Sequence, residues 1–592
     1  MTRRYSSSAV AITAVLALCA AIVAFPRLGD RTGPYGSPAG ERTTLVDGGD
    51  LLGVSVTFYV DHLSAVMLLL AAGVGLMVQV YSLAYLAGDP RYRSYTTIIQ
   101  LFLVAMATVV VADNLWLLLV GWEVMGLCSY LLISHHWELA PARAGAVKAF
   151  LLTRVGDLGL LVGIFAIGHT FGTYEISEVL AAMASSDAPA GLTAIGLLIV
   201  VAVVGKSAQF PLHTWLADAM PGPTPISALI HAATMVAAGV FLVARLYPVM
   251  AESAVTMTVL AVVACVTMLL AALLALTSGD LKRVLAWSTV SQLAYMFAAL
   301  AVGGYDAGID HLLSHGAFKA LLFLVAGSVA HVIGSTALRD MGGLRGAMPW
   351  TFATGTIGFA ALAGVVPTVG FFSKDAVLES AWHAVGHESP VSAGVAAVVL
   401  AVGLVTAAVT VVYAFRAWWM TFMGGDGATV TGAGATGAGA ARAQALREAP
   451  PLMVGPLVLL AAATLLLSLA MPFDLLMGLV TTLVVAGAGW LAYQALAAGR
   501  DPADLLGPAR PAFTRELGWD VGYDGAGVAA REAGDLVVAT DRDVIGFYPR
   551  AVAWLSVQLS RVLTRSQTGN AQIYVTVLAV GVLLATLLVV VR

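Results

Sequence analysis

Long apolar stretches alternate with short polar connections along almost the whole chain. A helix that crosses a bilayer needs about 20 mostly apolar residues, and about fifteen stretches approach that length. They are 8–25, 60–86, 96–112, 114–135, 148–170, 190–216, 224–246, 255–276, 283–303, 308–334, 349–379, 391–420, 451–471, 474–497 and 571–591. Pro211 interrupts the sixth and Pro367 the eleventh, because proline removes a backbone donor and clashes with the preceding turn. The pattern predicts an all-α, polytopic membrane protein with two inverted-repeat halves, each with a broken helix. Such paired interruptions mark ion sites in transporters built from inverted repeats.

Two regions do not fit a span. Residues 424–441, "GGDGATVTGAGATGAGAA", have the composition of a flexible linker. Residues 500–568 are less apolar, yet Val552, Leu555, Leu559 and Val562 recur at helical spacing, with Arg561 and Arg565 four apart. This predicts an amphipathic lateral helix along the cytoplasmic surface or along other subunits, with breaks at Gly534, Gly546 and Pro549. If the roughly 50 residues from 518 on were all helical, the rod would reach about 75 Å. The expected division is therefore a first span and extracytoplasmic loop (1–59), a two-half core (60–423), a linker (424–450), two further spans (451–499), the lateral helix (500–568) and an anchoring span (569–592). Residues 6–25 also have the charged start and short apolar core of a signal peptide, without a clean small-x-small cleavage site.

Composition agrees with the pattern. Of 592 residues, 59% are hydrophobic and only 11% charged, against about 25% charged in soluble domains. A net charge of −4 gives no case for nucleic-acid binding. Cys19, Cys128 and Cys265 lack ligand-like spacing and cannot alone hold an iron–sulfur cluster or structural zinc. Any redox chemistry is thus expected on partners. Lys and Arg cluster in alternate connections (Arg91, Arg93; Arg143, Lys148; Lys282, Arg283; Arg339, Arg345; Arg416, Arg442, Arg447), which puts these and the N-terminus in the cytoplasm. Arg27, Arg31 and Arg42, in an early extracytoplasmic loop, are the exception.

Against this background the ionisable residues within spans stand out: Glu123, Asp157, Lys206, Lys319 and Lys374, with His231, His311 and His315. Each charge near a helix centre costs about 2.5–3.5 kcal/mol on the insertion scale. For any one residue a packing or helix-pairing role is the plain reading; the series is harder to explain that way. His311, His315 and Lys319 lie at i, i+4 and i+8, sharing one helix face at about 6 Å steps. Bridged by water, such a row can relay protons. Pro211 should open the sixth span just after Lys206, letting freed carbonyls and an amine line a hydrated cavity. Pro367 followed by Lys374 repeats the device. Glu123 is the best intramembrane carboxylate to hold and release the Lys206 proton. Moving one charge against ~180 mV costs about 4 kcal/mol, which a pair opening in low dielectric can supply. A static ion pair that fixes helix positions is the simpler alternative.

The segments "ADNLWLLLVGWEVMGLCSYLLI", "KAFLLTRVGDLGL", "GKSAQFPLHTWLADAMPGPTPISALIHAATMVAAGVFLVAR", "DLKRVLAWSTVSQLAYMF", "SHGAFKALLFL" and "GFFSKDAVL" resemble the antiporter-like subunits in the membrane arm of respiratory complex I, most of all the L-type (chain 5) group. The likeness runs from about residue 51 to the C-terminus, more weakly after 420. It implies that Glu123 and Lys206 are the family's glutamate–lysine pair, and that His231, His311, His315 and Lys319 form its hydrophilic axis. Lys374 resembles the lysine beside the exit path, and Arg154 and Asp157 match the "TRVGD" segment at the half-channel wall or subunit contact. The family usually has two spans before the segment matching "FYVDHLSAVMLLL", where this sequence shows one. The resemblance further implies a proton-translocating subunit of a bacterial inner-membrane NADH-quinone oxidoreductase. NADH, FMN, iron–sulfur clusters and quinone would sit on partner subunits, and the partners would be other membrane-arm subunits, especially the neighbouring antiporter-like one, with lipid around them. The alternatives are the large subunit of a Mrp-type sodium/proton antiporter, a subunit of inorganic-carbon uptake complexes, and a scaffold.

Overall fold

The computed structural model describes residues 2–25, 50–51, 54–185, 189–423 and 447–591. The loop from 26 to 49 with its three arginines, and the linker at 424–441 with Arg442, lie outside the described residues. The chain divides into two compact units, residues 1–517 and 518–592.

The first unit is built of helices in the order α1 (Thr2–Ala24), α2 (His62–Tyr85), α3 (Tyr92–Val111), α4 (Leu115–Ile133), α5 (Ala140–Phe171), α6 (Ile176–Ser185), α7 (Leu192–Lys206), α8 (Trp215–Asp218), α9 (Thr224–Ala232), α10 (Ala237–Arg245), α11 (Tyr247–Ala251), α12 (Ala254–Thr277), α13 (Leu281–Ala301), α14 (Tyr305–Ile333), α15 (Pro349–Ala363), α16 (Val369–Gly386) and α17 (Ala393–Phe422). Helices Pro451–Leu466 and Leu475–Ala497 follow. Twelve described helices across both units are long and apolar enough to cross a membrane, counting Thr224–Arg245 and Pro451–Ala470 as one each; Ser8–Ala24 and Leu192–Lys206 are shorter apolar helices. Before α2, Asp50–Leu51 and Val54–Ser55 pair as a minimal antiparallel hairpin.

The ends of the spans follow local rules. Asp61, Asn114, Ser253, Asp280, Ser392 and Asp474 cap their helices by accepting an exposed backbone N–H. Gly364 ends α15 at φ 80°, a left-handed conformation that suits glycine. Every residue of α13 except Arg283 is buried, as are all of α9 and α10, so these segments form the interior around which the other spans pack.

The sixth span opens directly after Lys206, as expected from Pro211. In the opening, Gln209 N–H donates to Val204 O at 2.9 Å, and the Trp215 indole takes Gly205 O at 3.1 Å. The Phe210 amide donates to Thr267 Oγ1 at 3.0 Å. Backbone groups released by the break thus find partners inside the protein, the condition for irregular chain at membrane depth. The eleventh span breaks between α15 and α16, around Pro367. A third interruption, between α9 and α10, was not expected in the uninterrupted stretch 224–246. Tertiary contacts hold it: Ser207 Oγ donates to Val236 O at 2.7 Å, and Thr234 Oγ1 to Leu229 O at 2.6 Å.

The region 500–568 is not one element. Asp501 pairs with Arg416 through both Nε (2.6 Å) and a terminal nitrogen (2.9 Å), and Glu516 pairs with Arg283, so 501–516 is fastened to the first unit. The second unit holds Trp519–Thr540, Phe547–Ser566 and Ala571–Val591. Gly534 lies inside the first of these helices and does not break it; the interruption comes at Asp541–Gly546, and Pro549 sits in the first turn of the next helix. Val552, Leu555, Leu559 and Val562 are all exposed.

Candidate functional site

Two glycines bring the first lysine to its partner. Gly156 on α5 and Gly205 on α7 meet so closely that a Cβ on Gly156 would lie 2.9 Å from Gly205 Cα, and one on Gly205 would lie 2.8 Å from Gly156 Cα. No side chain larger than hydrogen fits at this crossing. The next residue on each helix is charged, and Asp157 Oδ1 lies 3.8 Å from Lys206 Nζ. Both side chains are almost wholly buried, at 3% and 0% exposure. The ammonium also donates to Trp122 O at 3.0 Å and sits 4.9 Å from the centre of the Trp122 ring, a cation–π contact. The Trp122 indole donates to Asp157 Oδ1 at 2.5 Å, which fixes the carboxylate.

Glu123 lies elsewhere than the sequence suggested. It pairs directly with Arg154, three residues before Asp157 on the same face of α5, and the two are only partly buried. It remains within electrostatic range of Lys206 and Asp157. The geometry is therefore two linked pairs, Glu123–Arg154 and Asp157–Lys206, and the carboxylate in contact with the lysine is Asp157.

Beyond the α9–α10 break, His231 stacks on Phe323 at 5.0 Å. His311, His315 and Lys319 line one side of α14, each fully buried. Lys319 Nζ donates to Leu285 O at 3.2 Å and also to Ser288 Oγ. His311 Nδ1 is 3.0 Å from Ser373 Oγ on α16. His315 is in electrostatic range of His231, Lys319 and His311, and Lys374 of both His311 and Lys319. Among the described residues, four imidazole nitrogens of this series have no hydrogen-bond partner: His231 Nδ1, both nitrogens of His315 and His311 Nε2. Buried polar atoms are normally satisfied, so this line of donors and acceptors has the chemistry of a wetted path. Ser207, next to Lys206, donates to the Val236 carbonyl in the break that follows α9 and His231.

Lys374 is 1% exposed and donates to Leu362 O at 2.9 Å, a carbonyl at the end of α15, with the Tyr295 ring centre 5.9 Å away. Asp375, next in sequence, turns instead to Thr481 Oγ1 at 2.8 Å.

Several groups were not singled out by sequence. Arg245 at the end of α10 forms two bonds to Asp61, 2.6 and 3.0 Å, which ties the end of α10 to the cap of α2. Lys282 donates to Met220 O and Gly222 O, at 2.5 and 2.8 Å. Arg283 bonds Asp218 and Glu516, while Lys148 reaches Asp218 at 2.5 Å, so a charge chain surrounds the end of the broken sixth span. In sequence Lys282, Arg283 and Lys148 registered only as topology markers. Burial pushes the Asp501 carboxyl up, but the Arg416 hydrogen bonds and charge, with the Ala503 amide and Arg510, hold it below the usual carboxylate range.

A polytopic helical protein with lysines presented at two broken spans and an interior row of histidines has the build of an antiporter-like ion-translocating subunit. Residues 112–401 match the family described as NADH:quinone oxidoreductase/Mrp antiporter, and residues 47–96 match the N-terminal family of complex I chain 5. The chain belongs to this antiporter-like membrane-subunit family. It is 44% identical over 417 residues to NADH-quinone oxidoreductase subunit L of Mycobacterium tuberculosis, covering 70% of this chain and 63% of that protein. It is 45% identical over 382 residues to NAD(P)H-quinone oxidoreductase chain 5 of a Synechocystis species, covering 62% of this chain and 54% of that one. The chain thus spans between half and two thirds of the length of the curated relatives it matches. Among solved structures, it is similar to a chain in the Mrp complex from a Dietzia species, with a TM-score of 0.64, 27% identity, 99% of this chain and 63% of that chain covered. A chain of an archaeal membrane-bound sulfane sulfur reductase shares the fold at 22% identity, with a TM-score of 0.65 and coverage of 83% and 93%.

Proposed function

We propose that this chain is a proton-translocating membrane subunit of a bacterial NADH-quinone oxidoreductase, coupling quinone reduction on other subunits to proton movement through its buried Asp/Glu/Lys/His series. The observation that carries the reading is that series: seven buried ionisable side chains, with the partly buried Glu123–Arg154 pair beside them and unpartnered imidazole nitrogens among them. Glu123, Arg154, Asp157 and Lys206 form the first charge site, His231, His311, His315 and Lys319 the central relay, and Lys374 the far end. NADH, FMN, the iron–sulfur clusters and quinone belong to partner subunits in this reading. The partners are other membrane-arm subunits, above all a neighbouring antiporter-like one, with lipid around them. The membrane is the bacterial inner membrane, with the N-terminus and the amphipathic helices 519–566 on the cytoplasmic side. The latter, laid along neighbouring subunits, would bury their exposed apolar face.

The division into a first span and loop, a two-half core, a linker, two further spans, a lateral element and a terminal anchor is retained, with the boundary of the lateral element moved to residue 518. The experiment is Lys206→Ala in the assembled complex, with proton uptake into inverted vesicles measured against NADH oxidation. The protons moved per NADH should fall; an unchanged ratio in an assembled variant overturns the relay assignment. A Mrp-type sodium/proton antiporter subunit is the second reading, favoured by the likeness to a Mrp-complex chain along 99% of this one. Sodium-driven proton exchange in the absence of NADH would select it.

A further inference from the structure

Outside the membrane interior, the α2–α3 connection and the α4–α5 connection meet on one face of the molecule. Asp89 from the first converges with His135 and His136 from the second, and one ligand-type atom of each lies within 4.8 Å of the others. Asp89 Oδ2 is 3.1 Å from His135 Nε2, while Oδ1 accepts the Arg91 amide at 2.7 Å. The two imidazoles are 4.8 Å apart and inclined at 70°. His135 is only 7% exposed and packs edge-on against Tyr95 at 5.6 Å, whereas His136 is more open. The Arg91 guanidinium is drawn aside, onto His135 O at 2.5 Å and onto Glu138. The translocation path uses none of these groups.

We propose that Asp89, His135 and His136 form a binding site for a divalent transition-metal ion of the Zn²⁺ type, which fastens the two connections together. Two imidazole nitrogens and one carboxylate oxygen suit a borderline-soft cation, where Mg²⁺ or Ca²⁺ would call for oxygen alone. In a tetrahedral site with bonds of 2.0–2.2 Å, two ligands of one ion lie about 3.4 Å apart. The observed spacing closes with a small swing of His136, the most accessible member. Asp89 is already oriented by a backbone donor behind it, the outer-shell arrangement that steadies metal ligands. Three protein ligands leave a fourth position for water.

The test uses the full chain in the complex with which it purifies. After chelator treatment, Zn²⁺ binding is followed by competition with a chromophoric chelator, and Co²⁺ binding by its visible absorption. The comparison between variants removes any contribution of other subunits. Wild type should bind one more ion per complex than His136→Ala, and Asp89→Asn should weaken that ion at least tenfold. His383→Ala, at the other exposed histidine cluster with Glu379 and His387, should leave it unchanged. An equal ion count in wild type and His136→Ala, or loss on His383→Ala instead, overturns the assignment. His136 is the primary position because it is the less buried imidazole, and the unchanged yield of assembled complex serves as the folding control.

Discussion

Each of the two broken spans delivers a lysine to the buried interior, and the two lysines meet different surroundings. Lys206 has a carboxylate 3.8 Å away, an indole face beneath it and a second ion pair one helical turn off. Lys374 has a backbone carbonyl at 2.9 Å and a tyrosine ring, with no carboxylate partner among the described residues. The Lys206 amine faces a counter-charge, whereas the Lys374 amine is bonded to a carbonyl and has only His311 and Lys319 in electrostatic range. Under the proposed function, the first would hold charge stably and let it go when the pair separates, while the second would be suited to brief occupancy.

The comparison can be broken most forcefully at Lys206. Removing one member of a buried ion pair strands the other, at about 3–5 kcal/mol. Lys206→Met should therefore destabilise the chain by about that much, while Lys374→Met, which frees a single carbonyl and no charge, should cost less, about 1–3 kcal/mol at most. Thermal unfolding of the detergent-solubilised protein measures both. Adding Asp157→Leu to Lys206→Met should recover most of the loss; no recovery would mean that Asp157 is not the true partner.

A second, smaller effect is expected at the helix crossing. Gly205→Ala forces a methyl group into the Gly156 backbone, where overpacking costs about 1–3 kcal/mol. It should also separate Asp157 from Lys206 and lower proton translocation together with stability. An equally conservative Gly394→Ala, where a Cβ meets nothing within 4 Å, is the matched control.

Asp501 sharpens the contrast from outside the membrane. Its carboxyl is held below its unfolded value, near 3.9. The stabilisation it gives is therefore complete above about pH 4–5 and is lost as pH falls through the depressed folded value. Asp501→Asn should loosen 501–516 by about 2 kcal/mol, seen as faster amide exchange there at pH 7 and as loss of the acid-dependent step. Smallest of all, Glu123→Gln touches a partly exposed pair and should cost within about 1 kcal/mol of stability. Any larger loss in translocation would then report function directly.

Much of this was legible in the chain itself. Apolar length marked the spans, and Pro211 and Pro367 marked two openings, because both signals act locally. The break at Ala233–Val236 carries no proline and was invisible; its carbonyl is claimed by Ser207, far away in sequence. The sequence offered two carboxylates for Lys206 and favoured Glu123, whereas Asp157 is the one in contact, since the choice rests on which helices touch. The signal was present, in a glycine immediately before both Asp157 and Lys206, and it has meaning only once α5 and α7 are known to cross there. The fastening of 501–516 was hidden for the same reason: Arg416 and Arg283 find their partners across 85 and 233 residues.

The bare glycine contact also acts as a gear. With no side chain at the Gly156–Gly205 crossing to absorb play, a tilt of one helix against the other is passed on to the neighbouring ammonium and carboxylate. At an effective dielectric near 20, drawing charges from 3.8 Å to about 5 Å weakens their attraction by about 1 kcal/mol. Ångström-scale rocking of a single helix, a movement small enough for a neighbouring subunit to impose, would already shift the balance between keeping a proton and surrendering it about fivefold.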